Sequence, residues 1–274
     1  MPSAYEIECQ LMTQAAQQCH DTIMQHFRLG QTVGEGANVQ DKGINNPLTA
    51  ADLAVDGYLH DTLLTARPDY GWLSEETVDN PSRLKNQRVW VVDPIDGTKE
   101  FIAGIPQFAI SIGLVDNGQP VAAVVYNPAL QEMFSAHLGG GAQLNGTPIH
   151  TSTRTSLQGA RCLASRSETK RGEWDSFTSE LQLTTMGSIA YKLALVAMGR
   201  YDMTFTLTPK NEWDFCAGHL LVTEAGGAIS HKEGSPFIYN QAQPKTRSVV
   251  ATNGPLHEPL LNRLRDVPLG RDRR

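Results

Sequence analysis

Val89-Trp90-Val91-Val92 is an unbroken apolar run that leads directly into Asp93-Pro94-Ile95-Asp96-Gly97, and it restricts the fold of this chain more than any other feature. A continuous run of β-branched and aromatic residues reads as a strand covered on both faces. Its C-terminal end carries two acids, and that end is where open α/β sheets gather their sites. A doubly covered strand needs layers above and below it. A chain of 274 residues, 40% apolar and 19% charged, can bury the core that such layers require.

The flanking pattern supplies candidate layers. Ile7, Leu11, Ala15, Cys19, Ile23 and Phe27 recur at four-residue spacing and predict one amphipathic packing helix. Gly30 to Asn46 reads as a loop or a loosely paired hairpin, and Thr49 with Asp52 predicts the cap of a helix running to about Leu64. After the 89–92 strand come strands at Phe108–Val115, Val121–Tyr126 and Met133–Ala136, with a hairpin turn at Asn145-Gly146. Beyond Pro148 the order alternates. A strand is expected at Arg161–Ala164, helices near Trp174–Leu181 and over Ser188–Met198, and a strand at Tyr201–Phe205. A helix over Asp214–Glu224 closed by Gly226-Gly227 and a strand at Ser248–Thr252 complete it. The class is α/β (α+β), layered, with an N-terminal half over 1–150 and a C-terminal half over 151–274 forming one compact unit. The arginine-rich tail from Val267 reads as a solvated end.

Cys9, Cys19, Cys162 and Cys216 are far apart and form no zinc or disulfide pattern, which points to a reduced, cytoplasmic setting. The longest apolar stretches fall far below the ~20 residues that span a bilayer, so neither membrane insertion nor secretion is expected. A formal charge of −6 argues against a nucleic acid polymer as partner. Small anionic substrates remain compatible, because carboxylates that hold divalent cations reverse the local field. No stripe marks a subunit interface, and a homodimer is left open.

By turn chemistry alone, Asp93-Pro94 and Asp96-Gly97 read about equally as turn formers and as oxygen ligands for a small hard cation, with the Ile95 carbonyl as a further donor. Gly97 would admit a phosphate close to the backbone. Taken in isolation, Asp214 reads first as the cap of the helix that follows it, Asp52 as the acid of a capping box and Glu75 as a solvated loop charge.

The segment Asp93-Pro94-Ile95-Asp96-Gly97-Thr98 resembles the D-P-I/L-D-G-S/T signature of the inositol monophosphatase and bisphosphatase superfamily. The continuation Lys99-Glu100-Phe101 is similar to the 3′(2′),5′-bisphosphate nucleotidase branch, where inositol monophosphatases more often read T-N-F. Lys42 followed by Pro47-Leu48-Thr49-Ala50-Ala51-Asp52 resembles K-x(n)-P-V/L-T-x-A-D, and Leu73-Ser74-Glu75-Glu76 resembles S-E-E. Trp213-Asp214-Phe215-Cys216-Ala217-Gly218, then Glu224-Ala225-Gly226-Gly227, resembles W-D-x-A-A-G followed by E-A-G-G. The motifs occur in the family's order from about Lys42 to Gly227.

The resemblance implies an αβαβα sandwich of the inositol monophosphatase and fructose-1,6-bisphosphatase type. It implies Mg2+ at roughly two or three positions per site, held by Glu75, Asp93, the Ile95 carbonyl, Asp96 and Asp214, and inhibition by Li+. Asp52 and Thr98 would orient and deprotonate the attacking water, with Glu75 in the catalytic set and Glu76 an alternative aid. The implied reaction releases the 3′-phosphate of adenosine 3′,5′-bisphosphate, a by-product of sulfate activation. The alternative is an inositol, histidinol or fructose phosphate.

Substrate contacts are expected from Gly97, Thr98, Ser165, Arg166, Ser188, Lys192, Lys210 and Asp214. Ser165-Arg166-Ser167 resembles the S-R-S-H stretch of the nucleotidases, with Glu168 in place of His. Lys192 and Lys210 would meet a second phosphate; solvation is the equal alternative for each. Tyr191 and Phe215 read as core, and His219 as structural.

Overall fold

Alternate residues of the 89–92 strand enter two different cores, which is why the run contains no polar position. Val89 and Val91 pack into one cluster with helical residues 189–197 and 215–222. Trp90 and Val92 pack into another with Met12, Ile23, Val55 and Leu59. Both faces of the strand are therefore dry, and each residue is fully enclosed.

The structure is a computed structural model that describes residues 4–33, 40, 41 and 47–270. Lys42 lies outside the described residues. The elements in the first part of the chain are α1 Ala4–Gln18, α2 His20–Met24, β1 Gln40–Asp41, β2 Pro47–Leu48, α3 Ala50–Ala66, β3 Gly71–Ser74, β4 Arg88–Asp96 and α4 Thr98–Ile102. Next come β5 Ala109–Asp116, β6 Gln119–Asn127, β7 Glu132–His137, β8 Gly141–Leu144 and β9 Thr147–Ile149. Then follow β10 Ala160–Ser165, α5 Arg166–Lys170, β11 Leu181–Met186, α6 Ile189–Ala197, β12 Met203–Thr206 and β13 Lys210–Asn211. The last are α7 Glu212–Glu224, β14 Ala228–Ser230, β15 Lys245–Thr246, β16 Val249–Thr252 and α8 His257–Leu264.

One sheet runs in sequence order from β3 to β9, and a second has the order β11-β10-β12-β16-β14. The first is antiparallel apart from the β3–β4 pair, because short turns join its later strands. In the second, β10 lies parallel to both β11 and β12, and β16 is antiparallel to its neighbours. α6 and α7 fill the space between the sheets. α1 and α3 cover the outer face of the first sheet, and α8 with Trp174 and Phe177 covers that of the second. The layers are thus α, β, α, β, α, as the resemblance implies. Gly113 on β5 lets α7 approach closely, since a Cβ there would sit 2.7 Å from the Cys216 sulfur.

Several local expectations change. The N-terminal helix divides at Cys19, whose N–H turns back to the Ala16 carbonyl, so Ile23 lies on α2 and Phe27 beyond it. The buried apolar residues are Cys9, Met12, Ala15, Ala16, Cys19, Ile23 and Phe27, so Ala15, Cys19, Ile23 and Phe27 are buried as expected, whereas Ile7 is 45% exposed and Leu11 is half-buried. A strict four-residue spacing drifts around a helix of 3.6 residues per turn, which is why its first members leave the buried face. The segment expected to be helical near Trp174–Leu181 holds only a 3-10 turn over Asp175–Phe177. Leu181 instead opens β11, because Trp174 and Phe177 are anchored against Phe205 and the next residues pair with β10. The tail is tied as far as Gly270, whose N–H donates to the Leu207 carbonyl. At Asn145-Gly146 both residues have positive φ, the form a two-residue hairpin turn requires. No helix among the described residues is long and apolar enough to cross a membrane. All four cysteines are buried and unbridged.

Candidate active site

The two acids of the D-P-I-D-G turn owe their common direction to a defect in the strand. Residues three apart on a regular strand face opposite sides. Here Asp93 pairs with Ser111 and Asp96 with Ala109, so three steps on β4 match two on β5 and a bulge restores both acids to one side. The Asp93 Oδ1 accepts the Ile95 N–H at 3.1 Å, which holds the turn closed. Gly97 follows at φ +98, and a Cβ there would meet the Gln107 carbonyl oxygen at 2.8 Å. Any side chain would push the turn away from β5.

Three other segments deliver their acids to this turn. α3 begins with the expected capping box, in which Thr49 N–H donates to Asp52 Oδ2 at 2.8 Å and the Thr49 hydroxyl donates to the same oxygen. The other oxygen, Oδ1, faces the Thr98 hydroxyl at 3.2 Å, and that hydroxyl also lies 3.0 Å from the Ile95 carbonyl. β3 ends at Ser74, and the Glu75 N–H donates to the Val92 carbonyl, which fixes Glu75 beside β4. Asp56, one turn after Asp52, accepts the Ser74 and Thr77 hydroxyls at 2.5 and 2.6 Å and so brackets Glu75 on both sides. α7 delivers Asp214 in its first turn, where Oδ2 accepts the Asn211 N–H at 2.9 Å. The Ser111 hydroxyl donates to the Trp213 carbonyl and ties this turn to β5.

Carboxylate oxygens of Glu75, Asp93 and Asp214 all lie within 4.8 Å of one another. Burial and then the charges of Glu75, Asp96, Asp214 and Asp52 hold Asp93 well above the usual carboxylate range. Asp96 lines the same cleft, with Oδ2 accepting the Ser188 hydroxyl and the Ala190 N–H at 2.6 Å each. Burial and the charge of Asp214 push it up to about 7 against those two hydrogen bonds and Lys192. Oxygens crowded this closely fit a small divalent cation, which prefers oxygen donors and offsets their repulsion. Glu75, Asp93 and Asp214, with Asp96 and the Ile95 carbonyl beside them, are the groups that would hold it.

The acids open into a cleft of about 890 Å³ whose far wall carries Ser165, Arg166, Glu168, Ser188, Lys192 and Lys210. Lys192, on α6, is 4% exposed. Burial lowers its pKa, Glu168 offsets that, and Lys210 adds to it. Glu168 is itself buried and accepts the Thr206 hydroxyl at 2.5 Å, so the residue that departs from the S-R-S-H pattern belongs to the cleft wall. Arg166 donates through Nε to Glu100 at 3.1 Å and through Nη2 to Gln107 at 2.5 Å. Ser165 precedes α5 with no side-chain cap bond. Tyr191 and Phe215 lie in the core, and His219 Nδ1 pairs with the Tyr239 hydroxyl at 2.9 Å.

The contacts of Asp56, Glu100, Gln107 and Glu168 escape a reading of the sequence because each works through a partner distant in the chain. Glu100 and Glu168 stand inside stretches the sequence already marks, but their pairings are not marked there, and the four-residue spacing of Asp52 and Asp56 on one helical face is the local signal for Asp56.

The sequence profile of the inositol monophosphatase family matches residues 6–268. The chain is 35% identical over 263 residues to an inositol-1-monophosphatase of Mesorhizobium japonicum, covering 92% of this chain and 93% of that one. It is 32% identical to the Nus factor SuhB of Escherichia coli, covering 93% of this chain and 95% of that one. Among solved structures it superposes on the extragenic suppressor protein suhB of Bartonella henselae with a TM-score of 0.81 at 30% identity, over 94% of this chain and 98% of that one. An IMPase of Thermotoga maritima gives the same score at 28% identity, over 93% and 96% of the two chains. The bulged acid turn, the capped Asp52 and the profile match along nearly the whole sequence lead to one conclusion: this chain belongs to the inositol monophosphatase family of phosphatases.

Proposed function

We propose that the cleft hydrolyses the phosphate monoester of a small polyhydroxylated alcohol with Mg2+, inositol 1-phosphate being the leading substrate. The observation that carries this is the convergence of Glu75, Asp93 and Asp214 within 4.8 Å, in the same site as the hydrogen-bonded Asp52–Thr98 pair. When bound, the cation supplies neutralisation of the phosphate charge and acidifies the attacking water. The chain's own groups do the rest. Thr98, donating its proton toward Asp52 Oδ1, has lone pairs left to accept from a water. Asp52 is the carboxylate that proton can reach through the hydroxyl. The Asp93–Ile95 turn, closed by its own hydrogen bond, preorganises the oxygen donors. The ester P–O bond breaks, the water oxygen forms the new P–O bond, the leaving alkoxide takes a proton from solvent, and the proton passed to Asp52 returns to solvent. The relatives named inositol-1-monophosphatase support the substrate assignment.

A second reading keeps the mechanism and takes adenosine 3′,5′-bisphosphate as substrate. It is favoured by the buried Lys192 and the neighbouring Lys210 on the wall opposite the acids, a placement suited to a second anionic group. The engagement of Arg166 by Glu100 and Gln107 counts against it, since that guanidinium is already committed. Steady-state kinetics with both substrates in Mg2+ decides. We expect a higher kcat/KM for inositol 1-phosphate; the reverse order transfers the assignment to the nucleotide, and phosphate release from neither rejects both.

A further inference from the structure

We infer that Arg83 is a positioning residue for the metal-binding acids, clamping the loop that carries Glu75 to the helix start that carries Asp214. The inference rests on the metal reading proposed above. Glu75 and Asp214 come from segments far apart in the chain, and their separation is set by whatever joins those segments. Arg83 lies in the turn that follows the Glu75 loop and is 2% exposed, an unusual state for a guanidinium.

Its fork reaches both segments. Nε and Nη2 donate to the two oxygens of Asp79 at 2.6 and 2.9 Å, four residues beyond Glu75. Nη1 donates to Asn240 Oδ1 at 2.6 Å, and Nη2 also donates to the Gln241 carbonyl at 3.0 Å. Asn240 Nδ2 returns a bond to the Arg83 carbonyl at 3.2 Å. The backbone N–H groups of Asn240 and Gln241 then donate to the two Glu212 oxygens at 2.7 and 3.0 Å. Glu212 opens α7 two residues before Asp214.

The chain of contacts Glu75 loop, Asp79, Arg83, Asn240, Glu212, Asp214 therefore spans the site from behind. Asn240 holds φ +60, a left-handed conformation that costs a non-glycine residue energy and persists where surrounding bonds over-determine it. Nothing in the bridge touches the cleft: neither Arg83 nor Asn240 lines it. Its contribution is geometric, of the kind outer partners make when they orient metal ligands.

Mn2+ binding to the full chain, measured by isothermal titration calorimetry without substrate and alongside thermal unfolding, tests this. Asn240→Gly removes both side-chain bonds to Arg83 and relieves the positive φ; Arg83→Lys keeps the charge and loses the fork. Both are expected to weaken Mn2+ binding about tenfold. Asn240→Asp, which retains the acceptor for Arg83, is expected to keep wild-type affinity. Wild-type affinity in Asn240→Gly and Arg83→Lys overturns the inference, even where the melting temperature falls. Should Arg83→Lys fail to fold, Asn240→Gly alone decides. Absence of Mn2+ binding by the wild-type chain would instead remove the metal reading itself, and the two failures are told apart by which protein shows them.

Discussion

The two walls of the cleft solve opposite electrostatic problems. On one side Glu75, Asp93 and Asp214 crowd like charges together, and Asp93 is raised by every neighbouring acid that acts on it. On the other, acids and bases are interleaved: Arg166 with Glu100 and Gln107, and Lys192 with Glu168 as its main offset. On the reading proposed above a cation would complete the first wall, whereas in the second Glu100 engages Arg166 and Glu168 faces Lys192, with Lys210 adding further positive charge. Chemistry and selectivity are thereby separated on the proposed reading. A cation would serve the first, and the particular pairing of side chains would shape the second.

The comparison breaks most readily at Asp93. Asp93→Asn removes a repelled, buried charge and a proposed metal donor together, so kcat is expected to fall by about 10³-fold, the several kcal/mol of a lost charge clamp. The same variant without metal should melt at a higher temperature than the wild type, because the raised pKa means that ionised Asp93 opposes folding at neutral pH. A wild-type kcat, or a lower melting temperature in chelator, would show that the acid wall is not a strained cation site. Next in size is metal removal. Mg2+ at about a hundredfold above its Kd should stabilise the chain by roughly 2.7 kcal/mol relative to chelator, and calorimetric scans that coincide with and without the ion would refute it. Smallest is the effect on the far wall. Lys192→Met should raise KM for adenosine 3′,5′-bisphosphate by about tenfold, the scale of one charge-assisted hydrogen bond, and leave KM for inositol 1-phosphate close to wild type. Equal changes for both substrates would assign Lys192 to the architecture of α6 alone.

How much of this was legible in advance depended on range. The Thr49–Asp52 box, the Asn145-Gly146 turn and the acids on either side of Pro94 are set by residues within three positions of each other, and they appear where expected. The split of the first helix at Cys19 was not legible, since a four-residue spacing and a true helical stripe share most of their members. The replacement of the Trp174–Leu181 helix by a 3-10 turn and β11 depended on pairing with β10 and on Phe205, which no local propensity encodes.

Val89 to Gly97, from which the fold was first read, marks the division. The sequence by itself determined that a doubly buried strand ends in an acid turn, because apolar continuity and turn chemistry are properties of adjacent residues. Only the tertiary structure decided what that turn meets. The bulge against β5 turns Asp93 and Asp96 to one side, and Ser188 and Ala190, some ninety residues away, receive Asp96. Glu100 and Gln107 occupy Arg166, and Arg83 joins the segments of Glu75 and Asp214. These are contacts between surfaces made only when five layers pack, and their energies depend on burial that no single segment possesses alone.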